Sequence, residues 1–158
     1  MNKAYLLIGG NMRDREKNLA AARAGIAGYA KIISVSGIYE TAAWGKTDQD
    51  RFLNQAIEIE TRYTASVLLK KMLGIETKMG RKREQKFGPR VIDIDIIFYN
   101  DSIIHKPGLT IPHPQLQYRR FVLVPLHDIA PGYVHPVLQT TVSSLLEQCN
   151  DPLDVTRL

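Results

Sequence analysis

Apolar residues in the first part of the chain recur with the spacing of strands in three segments and with the spacing of a helix in one. The continuous apolar run at 4–8 predicts a buried strand, and the amphipathic pattern of 14–30 predicts a helix. Residues 31–41 are rich in β-branched and aromatic residues, and residues 52–62 alternate with a period of two. Both segments are therefore predicted strands, which gives the order β-α-β-β.

A second helix and another long strand follow. Thr64 is a predicted helix cap, apolar residues recur at helical spacing after it, and Gly80 ends the pattern. Residues 91–99, VIDIDIIFY, predict the next strand. The remaining predicted elements are a short strand at 102–104, an irregular segment at 107–114, and helices at 119–129 and 141–149.

The order β-α-β-β-α-β is that of a ferredoxin-like α+β fold, in which an antiparallel sheet carries both main helices on one face. We expect a single domain over residues 1–158, with extra elements at the C-terminus. The second face of the sheet would then be left for loops and ligands.

Composition and charge narrow the classes of function. Hydrophobic residues make up 44% and charged residues 23% of the chain, which is typical of a globular protein without a membrane span. Cys149 is the single cysteine and no signal-peptide pattern is present, so the cytoplasm is the expected compartment. The net charge of +5 predicts attraction to anions, among them nucleic acid, nucleotides and phosphorylated metabolites.

The strongest candidate for chemistry is the stretch at 87–98, FGPRVIDIDIIF. In a strand, Asp93 and Asp95 point to the same face and the isoleucines between and beside them point to the other. Two carboxylates roughly 5–7 Å apart repel each other unless a cation lies between them. Oxygen ligands from few carboxylates favour Mg²⁺, which keeps water and shares phosphate oxygens with a substrate. A solvent-facing strand with ordinary alternation is the alternative.

A group of cations precedes the two aspartates. Residues 81–86, RKREQK, hold four cations in six positions, and Arg90 follows the Gly-Pro turn. A solvated loop is the ordinary explanation of such a run. Next to a divalent-metal site, Arg81, Lys82, Arg83 and Arg90 are the side chains that a polyphosphate would need.

Two other motifs have ordinary explanations. Gly9 and Gly10 end the first strand without the further glycines of a dinucleotide-binding fingerprint, which leaves a tight turn or the close approach of another segment. His113 lies between Pro112 and Pro114 and has no zinc-type spacing to other ligands, so a structural histidine is the default.

Aromatic residues lie at the predicted ends of elements, beside loops. Trp44, Phe52 and Phe121 belong either to the core or to a slot that stacks a flat heterocycle. Asn54 shares a strand face with Phe52, and its amide offers the donor and acceptor that such a ring requires.

The motifs together resemble a known family. FGPRVIDIDI, then LTIPHP with RRF, then VLVPLHDIAP are similar to the 6-hydroxymethyl-7,8-dihydropterin pyrophosphokinases of folate biosynthesis. AYLLIGGNM and YETAAWG with DRFLNQAIEIET also fit, so the resemblance covers essentially the whole chain in order. It implies a ferredoxin-like enzyme that transfers the terminal diphosphate of ATP to the pterin hydroxymethyl oxygen and releases AMP.

The resemblance also implies roles for residues. Asp93 and Asp95 would hold two magnesium ions, and Arg81 and Arg90 would approach the phosphates from mobile loops. The implied ATP contacts are Lys82, Arg83, Ile96, Thr110, His113 and Arg119, with either Lys82 or Arg83 in the second cationic role. The implied pterin contacts are Thr41, Ala42, Trp44, Phe52, Asn54 and Phe121. No general base is assigned, and the expected partners are ATP and the pterin, without nucleic acid or membrane, in a monomer or weak dimer.

Two other classes of protein remain as alternatives. A ferredoxin-like RNA-binding module would suit the basic charge, but its base-stacking strands do not carry paired carboxylates. A two-metal nuclease would use the same aspartates together with further carboxylate ligands. Asp128 is a weak candidate for such a ligand.

Overall fold

Eight strands and four α-helices follow one another in the part of the chain that the computed structural model describes, residues 1–42, 50–80 and 90–158. The strands are β1 (Asn2–Gly10), β2 (Lys31–Val35), β3 (Tyr39–Thr41), β4 (Phe52–Thr61), β5 (Asp93–Tyr99), β6 (Ile104–Lys106), β7 (Leu109–Ile111) and β8 (Val155–Arg157). The helices are α1 (Arg15–Ala27), α2 (Ala65–Lys78), α3 (Arg120–Ile129) and α4 (Val142–Gln148), and a 3-10 turn covers Leu116–Tyr118.

The main sheet has the strand order β5-β1-β4-β3-β8, and β2 also pairs with β4. All of these pairings are antiparallel, and β6 and β7 form a separate two-stranded hairpin. The sheet and its two long helices follow the predicted β-α-β-β-α-β order. The expectation of an α+β ferredoxin-like fold with additional C-terminal elements is confirmed.

Local sequence explains where the two long helices begin. Asp14 caps α1 by accepting the backbone N–H of Lys17 at 3.2 Å, and Thr64 caps α2 by accepting that of Val67 at 3.3 Å. Gly80 follows α2 with a φ of 91°, a conformation that favours glycine. Both helices pack on the first face of the sheet, where the buried residues include Leu6, Ile8, Leu19, Ile26, Ile57, Leu68, Met72, Ile94 and Ile96.

The C-terminal helices change the expected role of the second face. We expected loops and ligands on that face, but α3 packs on it against β3 and β4, and α4 packs against α3. Val122, Leu123 and Leu126 share a buried cluster with Tyr5 and Leu7, so this face has a core of its own. Open surface remains where β1, β4 and β5 extend beyond α3.

Three predicted elements differ from the structure, and one strand was not predicted. The short strand predicted at 102–104 is β6, which begins two residues later. The strand predicted at 31–41 is divided into β2 and β3, because Ser36 accepts the N–H of Ala56 with its hydroxyl at 2.8 Å and interrupts the strand. The segment predicted as irregular contains β7. Strand β8 was not predicted, because its three residues are too few to show a period.

Strand β5 contains a β-bulge. Its pairing with β1 matches Ile96 with Leu6 but Phe98 with Tyr5, so Ile97 is the extra residue. Before the bulge, Ile94 and Ile96 face the long helices, while after it Tyr99 takes that side. Ile97 and Phe98 both join the cluster under α3.

No helix in the described ranges is both long and apolar enough to span a bilayer.

Candidate active site

The register of three neighbouring strands brings the predicted residues together at the open end of the second face. Gly9 on β1 is paired with Asn54 on β4 and with Asp93 on β5. Leu7, two residues earlier on the same face of β1, is paired with Asp95. The two aspartates therefore share one face, and Gly9 separates Asn54 from Asp93.

A cleft of about 600 Å³ opens over this end of the sheet. All of the described residues in the predicted pterin set line it: Thr41, Ala42, Phe52, Asn54 and Phe121. Arg90, Asp93, Asp95, His113 and Arg119 line it as well. Leu7, Gly9, Pro114 and Gln115 complete the lining, and of these the sequence had suggested a role only for Gly9, as a turn or a place of close approach.

A second cleft of about 350 Å³ adjoins the first, since both are lined by Asp93, Asp95, His113 and Pro114. Ile96 and Thr110, which were predicted to contact ATP, line only this second cleft. Leu69, Leu73 and Glu76 on α2, together with Gly108 and Leu109, form other parts of its lining. The aspartates thus stand where the two clefts meet.

Four predicted residues, Trp44, Arg81, Lys82 and Arg83, lie outside the described residues.

Gly9 leaves room for the side chain of Asn54. A Cβ added at Gly9 would lie 2.3 Å from Asn54 Oδ1 and 3.0 Å from the carbonyl oxygen of Leu53. At Gly10, an added Cβ would lie 2.2 Å from the carbonyl oxygen of Val91. Both glycines therefore permit close approach of another segment, which was one of the two interpretations drawn from the sequence.

The end of the cleft near Phe52 offers polar groups next to aromatic ones. Thr41 is paired with Phe52 across β3 and β4 and is almost fully buried. Its Oγ1 has no hydrogen-bond partner within the described part of the chain. A buried hydroxyl is costly without a partner, so this position suits a ligand with polar atoms at its edge.

Asn11 joins the ends of three segments and was missed by the sequence analysis. Its backbone N–H donates to the carbonyl of Arg90 at 2.9 Å, and its Oδ1 accepts the N–H of Arg90 at 2.8 Å. Its Nδ2 donates to the carbonyl of Asp50 at 3.0 Å. Fixed in this way, Arg90 places its guanidinium 2.9 Å from Asp93 Oδ2. The only signal in the sequence was a polar residue directly after Gly9-Gly10.

His113 is held in its neutral form. Its backbone N–H donates to the carbonyl of Ile97 at 3.0 Å, and its Nδ1 accepts the N–H of Gln115 at 3.2 Å. Burial, and then the nearby charge of Arg119, lower the pKa of His113 from 6.5 to about 4. With Nδ1 as acceptor, the ring hydrogen is on Nε2, which makes that atom a donor.

Arg119 lies among charges of both signs. Burial lowers the pKa of its guanidinium below the ordinary value for arginine, the carboxylates of Asp95 and Asp151 raise it, and Arg90 lowers it. An arginine remains charged under these conditions. Arg90 and Arg119 therefore bring two positive charges beside the two aspartates.

Glu76 is a buried carboxylate for which the sequence had suggested no role. It is 4% exposed, and its Oε2 accepts the backbone N–H of Ile94 at 2.7 Å. Ile94 lies between Asp93 and Asp95 on β5, the edge strand of the sheet. Glu76 therefore accepts a hydrogen bond from a backbone N–H at the sheet edge, between the two aspartates. In the sequence, its position beside the apolar stripe of α2 was only a weak signal that it is buried.

The donor set fits magnesium. Asp93 and Asp95 supply carboxylate oxygens, which are the ligands this ion prefers. No group of three or more His, Cys, Asp or Glu side chains is placed to hold a metal within the described ranges. A pair of carboxylates leaves further coordination positions for water and phosphate oxygens, which is typical of Mg²⁺ bound together with a nucleotide.

Comparisons with known proteins identify the family. Residues 5–131 match the family model for 7,8-dihydro-6-hydroxymethylpterin-pyrophosphokinase. The 2-amino-4-hydroxy-6-hydroxymethyldihydropteridine pyrophosphokinase of Methylorubrum extorquens is 43% identical over 136 residues, covering 85% of this chain and 86% of that protein. The enzyme of the same name from Bacillus subtilis is 42% identical over 130 residues, covering 81% and 78%.

A solved structure shares the fold. The wild-type HPPK-DHPS of Plasmodium falciparum with SDX-DHP superimposes with a TM-score of 0.74 at 21% identity over 94% of this chain. The match spans 43% of that longer chain, and at this identity it shows the fold alone. The family match and the identities to the bacterial relatives confirm the resemblance seen in the motifs: this chain belongs to the 7,8-dihydro-6-hydroxymethylpterin-pyrophosphokinase family, the ATP-dependent pyrophosphokinases of folate biosynthesis.

Proposed function

We propose that this chain binds the pterin in the larger cleft and ATP in the smaller one, and transfers diphosphate between them. The terminal diphosphate of ATP would pass to the hydroxymethyl oxygen of 6-hydroxymethyl-7,8-dihydropterin, with release of AMP. The observation that carries this assignment is that Asp93 and Asp95 line both clefts. Diphosphate transfer requires the two substrates to meet at one charged point, and these carboxylates are at that point.

The larger cleft has the features that a pterin requires. Phe52 and Phe121 offer aromatic surfaces for a flat ring, and Asn54 offers an amide with both donors and an acceptor. Thr41 adds the buried hydroxyl described above. Our assignment of Ala42 and Trp44 to the pterin edge remains a prediction from the family resemblance.

The smaller cleft suits a nucleotide whose phosphates point towards the aspartates. Apolar side chains of Leu69, Leu73 and Ile96 would contact the adenosine part, and Thr110 lies beside them. Neutral His113 would donate from Nε2 to a phosphate oxygen, and Arg119 and Arg90 would balance the charge of the phosphates. The same roles for Arg81, Lys82 and Arg83 stay predictions.

Transfer depends mainly on position and charge. The hydroxymethyl oxygen must attack the β-phosphorus in line with the departing AMP oxygen, so the two clefts must hold their ligands in a fixed relation. Asp93 and Asp95 would hold magnesium; two ions, as we expect, would neutralise charge at both the attacking and the leaving oxygen. The chain contributes the cations and the shape that hold the phosphates, and we assign no general base.

The RNA-binding alternative is not favoured by the geometry. Asp93 and Asp95 occupy the face of the sheet on which such a module would stack bases, and carboxylates repel phosphates. The nuclease alternative lacks support because Asp128, its weak third ligand, accepts hydrogen bonds from Tyr39 and from the N–H of Gly37 instead.

One reaction tests the proposal. The chain is incubated with ATP, Mg²⁺ and the hydroxymethyl-dihydropterin, and the products are separated by ion-pair chromatography. We expect AMP and pterin diphosphate in equal amounts; intact ATP, or ADP as the product, would refute the assignment. Asp95→Asn should lower turnover by about a thousandfold or more, a size typical of losing an essential electrostatic group. Asp101→Asn, an exposed aspartate beyond the other end of β5, serves as the control and should keep full turnover.

A further inference from the structure

Helix α3 is capped by a distant residue, unlike the other three helices of the described chain. Asp14, Thr64 and Thr141 each cap the helix that directly follows them. Arg119, at the cap position of α3, makes no such bond. Instead the carboxylate of Asp151 accepts the N–H of Arg120 at 3.1 Å, from 31 positions further along the chain.

The same carboxylate fixes its own segment. Oδ2 of Asp151 accepts from Arg120 on α3, while Oδ1 accepts the backbone N–H of Leu153 at 3.0 Å. The first turn of α3 and the chain that leads into β8 are therefore held by one side chain. Asp151 is partly buried, so the bonds are shielded from solvent.

The first turn of α3 carries two residues of the site. Arg119 and Phe121 flank Arg120 and both line the larger cleft. The guanidinium carbon of Arg119 lies 5.7 Å from the centre of the Phe121 ring, so the two side chains pack as a unit. A rotation of this turn would move the aromatic surface and the charge together.

Strand β8 contacts the site from another side. It pairs with β3, matching Val155 with Thr41 and Arg157 with Tyr39, and the N–H of Leu158 donates to the carbonyl of Ile38 at 2.9 Å. Strand β3 has three residues, and without β8 its outer edge would be unpaired. Such a short edge strand is prone to local opening, and Thr41 would move with it.

We propose that residues 151–157, which we call the C-terminal clasp, position the larger cleft from outside it. Asp151 acts as a positioning residue for Arg119 and Phe121, and β8 does the same for Thr41. None of the clasp's residues lines either cleft. It lies beyond residues 5–131, the part that matches the family model. The inference rests on the proposed function, because it assigns the pterin to this cleft.

Two variants separate the two contacts of the clasp. Asp151→Ala removes both acceptors, so the KM values for pterin and ATP should each rise about fivefold, which equals about 1 kcal/mol. Removal of residues 155–158 leaves the cap of α3 in place. It should raise the KM for the pterin alone, also about fivefold, and leave the KM for ATP unchanged. In both variants kcat should stay within about twofold of wild type, because the reacting groups are intact.

A matched control distinguishes positioning from general stability. Thr141→Ala removes the cap of α4, whose Ser144 N–H donates to Thr141 Oγ1 at 3.1 Å, and α4 does not line the cleft. It should lower Tm about as much as Asp151→Ala does and leave both KM values at wild type. Asp151→Asn keeps an acceptor oxygen and should recover most of the lost affinity. Unchanged KM values in Asp151→Ala, with Tm lowered as in the control, would overturn the proposal.

Pterin binding without ATP gives a readout that does not depend on catalysis. Equilibrium titration of pterin fluorescence should show about fivefold weaker binding to Asp151→Ala and to the truncated chain. A wild type that binds pterin but forms no AMP would refute the proposed reaction, while the weaker binding of the variants would still support the clasp. Equal affinity in all variants would refute the clasp even if the enzyme is active. If Asp151→Ala fails to fold, the truncated chain and Asp151→Asn decide the question.

Discussion

His113 should lower the stability of this chain as the pH falls below about 6.5, and a non-titrating residue at the same position should not. Burial and Arg119 lower the pKa of its ring from 6.5 to about 4 in the folded chain. In the unfolded chain the ring regains its ordinary pKa, so between these values the unfolded state binds a proton that the folded state does not. The stability that neutral His113 contributes is therefore complete above pH 6.5 and is lost as the pH falls through 4.

The size of the effect follows from the two pKa values. One pKa unit is worth about 1.4 kcal/mol, so a shift from 6.5 to about 4 limits the contribution to about 3 kcal/mol. About 2 kcal/mol of it should already be lost near pH 5. A loss of that size is a substantial part of the stability of a typical domain, which is about 5–15 kcal/mol.

Urea unfolding of the wild type and of His113→Asn, followed by circular dichroism between about pH 4 and 7.5, measures this contribution. Asparagine offers an acceptor oxygen close to the place of Nδ1, so the bond from the N–H of Gln115 at 3.2 Å can persist without titration. Carboxylates and His135 titrate alike in both chains and cancel in the difference. We expect the wild type to lose about 2 kcal/mol more than the variant on going from pH 7 to 5. A difference in unfolding free energy that does not change with pH would refute a neutral, buried His113.

Three further changes test other parts of the site. Gly9→Ala should raise the KM for the pterin about tenfold or more, because the new Cβ would lie 2.3 Å from Asn54 Oδ1 and would displace that side chain. An unchanged KM for the pterin in steady-state kinetics would contradict this. Asn11→Ala removes the side-chain bonds to Arg90 and Asp50, and the unfolding free energy from urea titration should fall by about 1–3 kcal/mol; a neutral result would mean that water replaces them. Addition of EDTA should abolish AMP formation without lowering Tm. The reason is that Asp93 forms an ion pair with Arg90 at 2.9 Å and does not need a metal ion for its charge to be balanced. A clear fall in Tm on addition of EDTA would instead reveal a structural metal.

Much of the fold and of the site was predictable because it is encoded in local patterns. Caps at Asp14 and Thr64, and alternation along β4 and β5, are effects of neighbouring residues, so they can be recognised in one sequence. The shared face of Asp93 and Asp95 follows from strand geometry alone. The resemblance of the chain to pyrophosphokinases, by contrast, was seen from several motifs and their order along the chain.

The remaining features depend on pairs that are far apart in the sequence. The bond between Asp151 and Arg120, and that between Glu76 and Ile94, join residues whose separate patterns are those of a polar turn and an exposed helical position. The packing of α3 on the second face and of α4 against α3 could not be predicted either, because an apolar stripe does not specify its partner. Which residues pair in this way depends on the complete tertiary structure.

The bulge at Ile97 gives β5 two halves that are independent of each other in register. The half with Asp93 and Asp95 is aligned with Gly9 and Leu7, and the half beyond the bulge is aligned in a shifted register, with Phe98 opposite Tyr5 and Tyr99 opposite Ala4. Loss or gain of one residue at the bulge during evolution would change the second half and spare the first. The end of β5 that carries Asp93 and Asp95 therefore keeps its alignment with β1 when the length of the strand varies beyond the bulge.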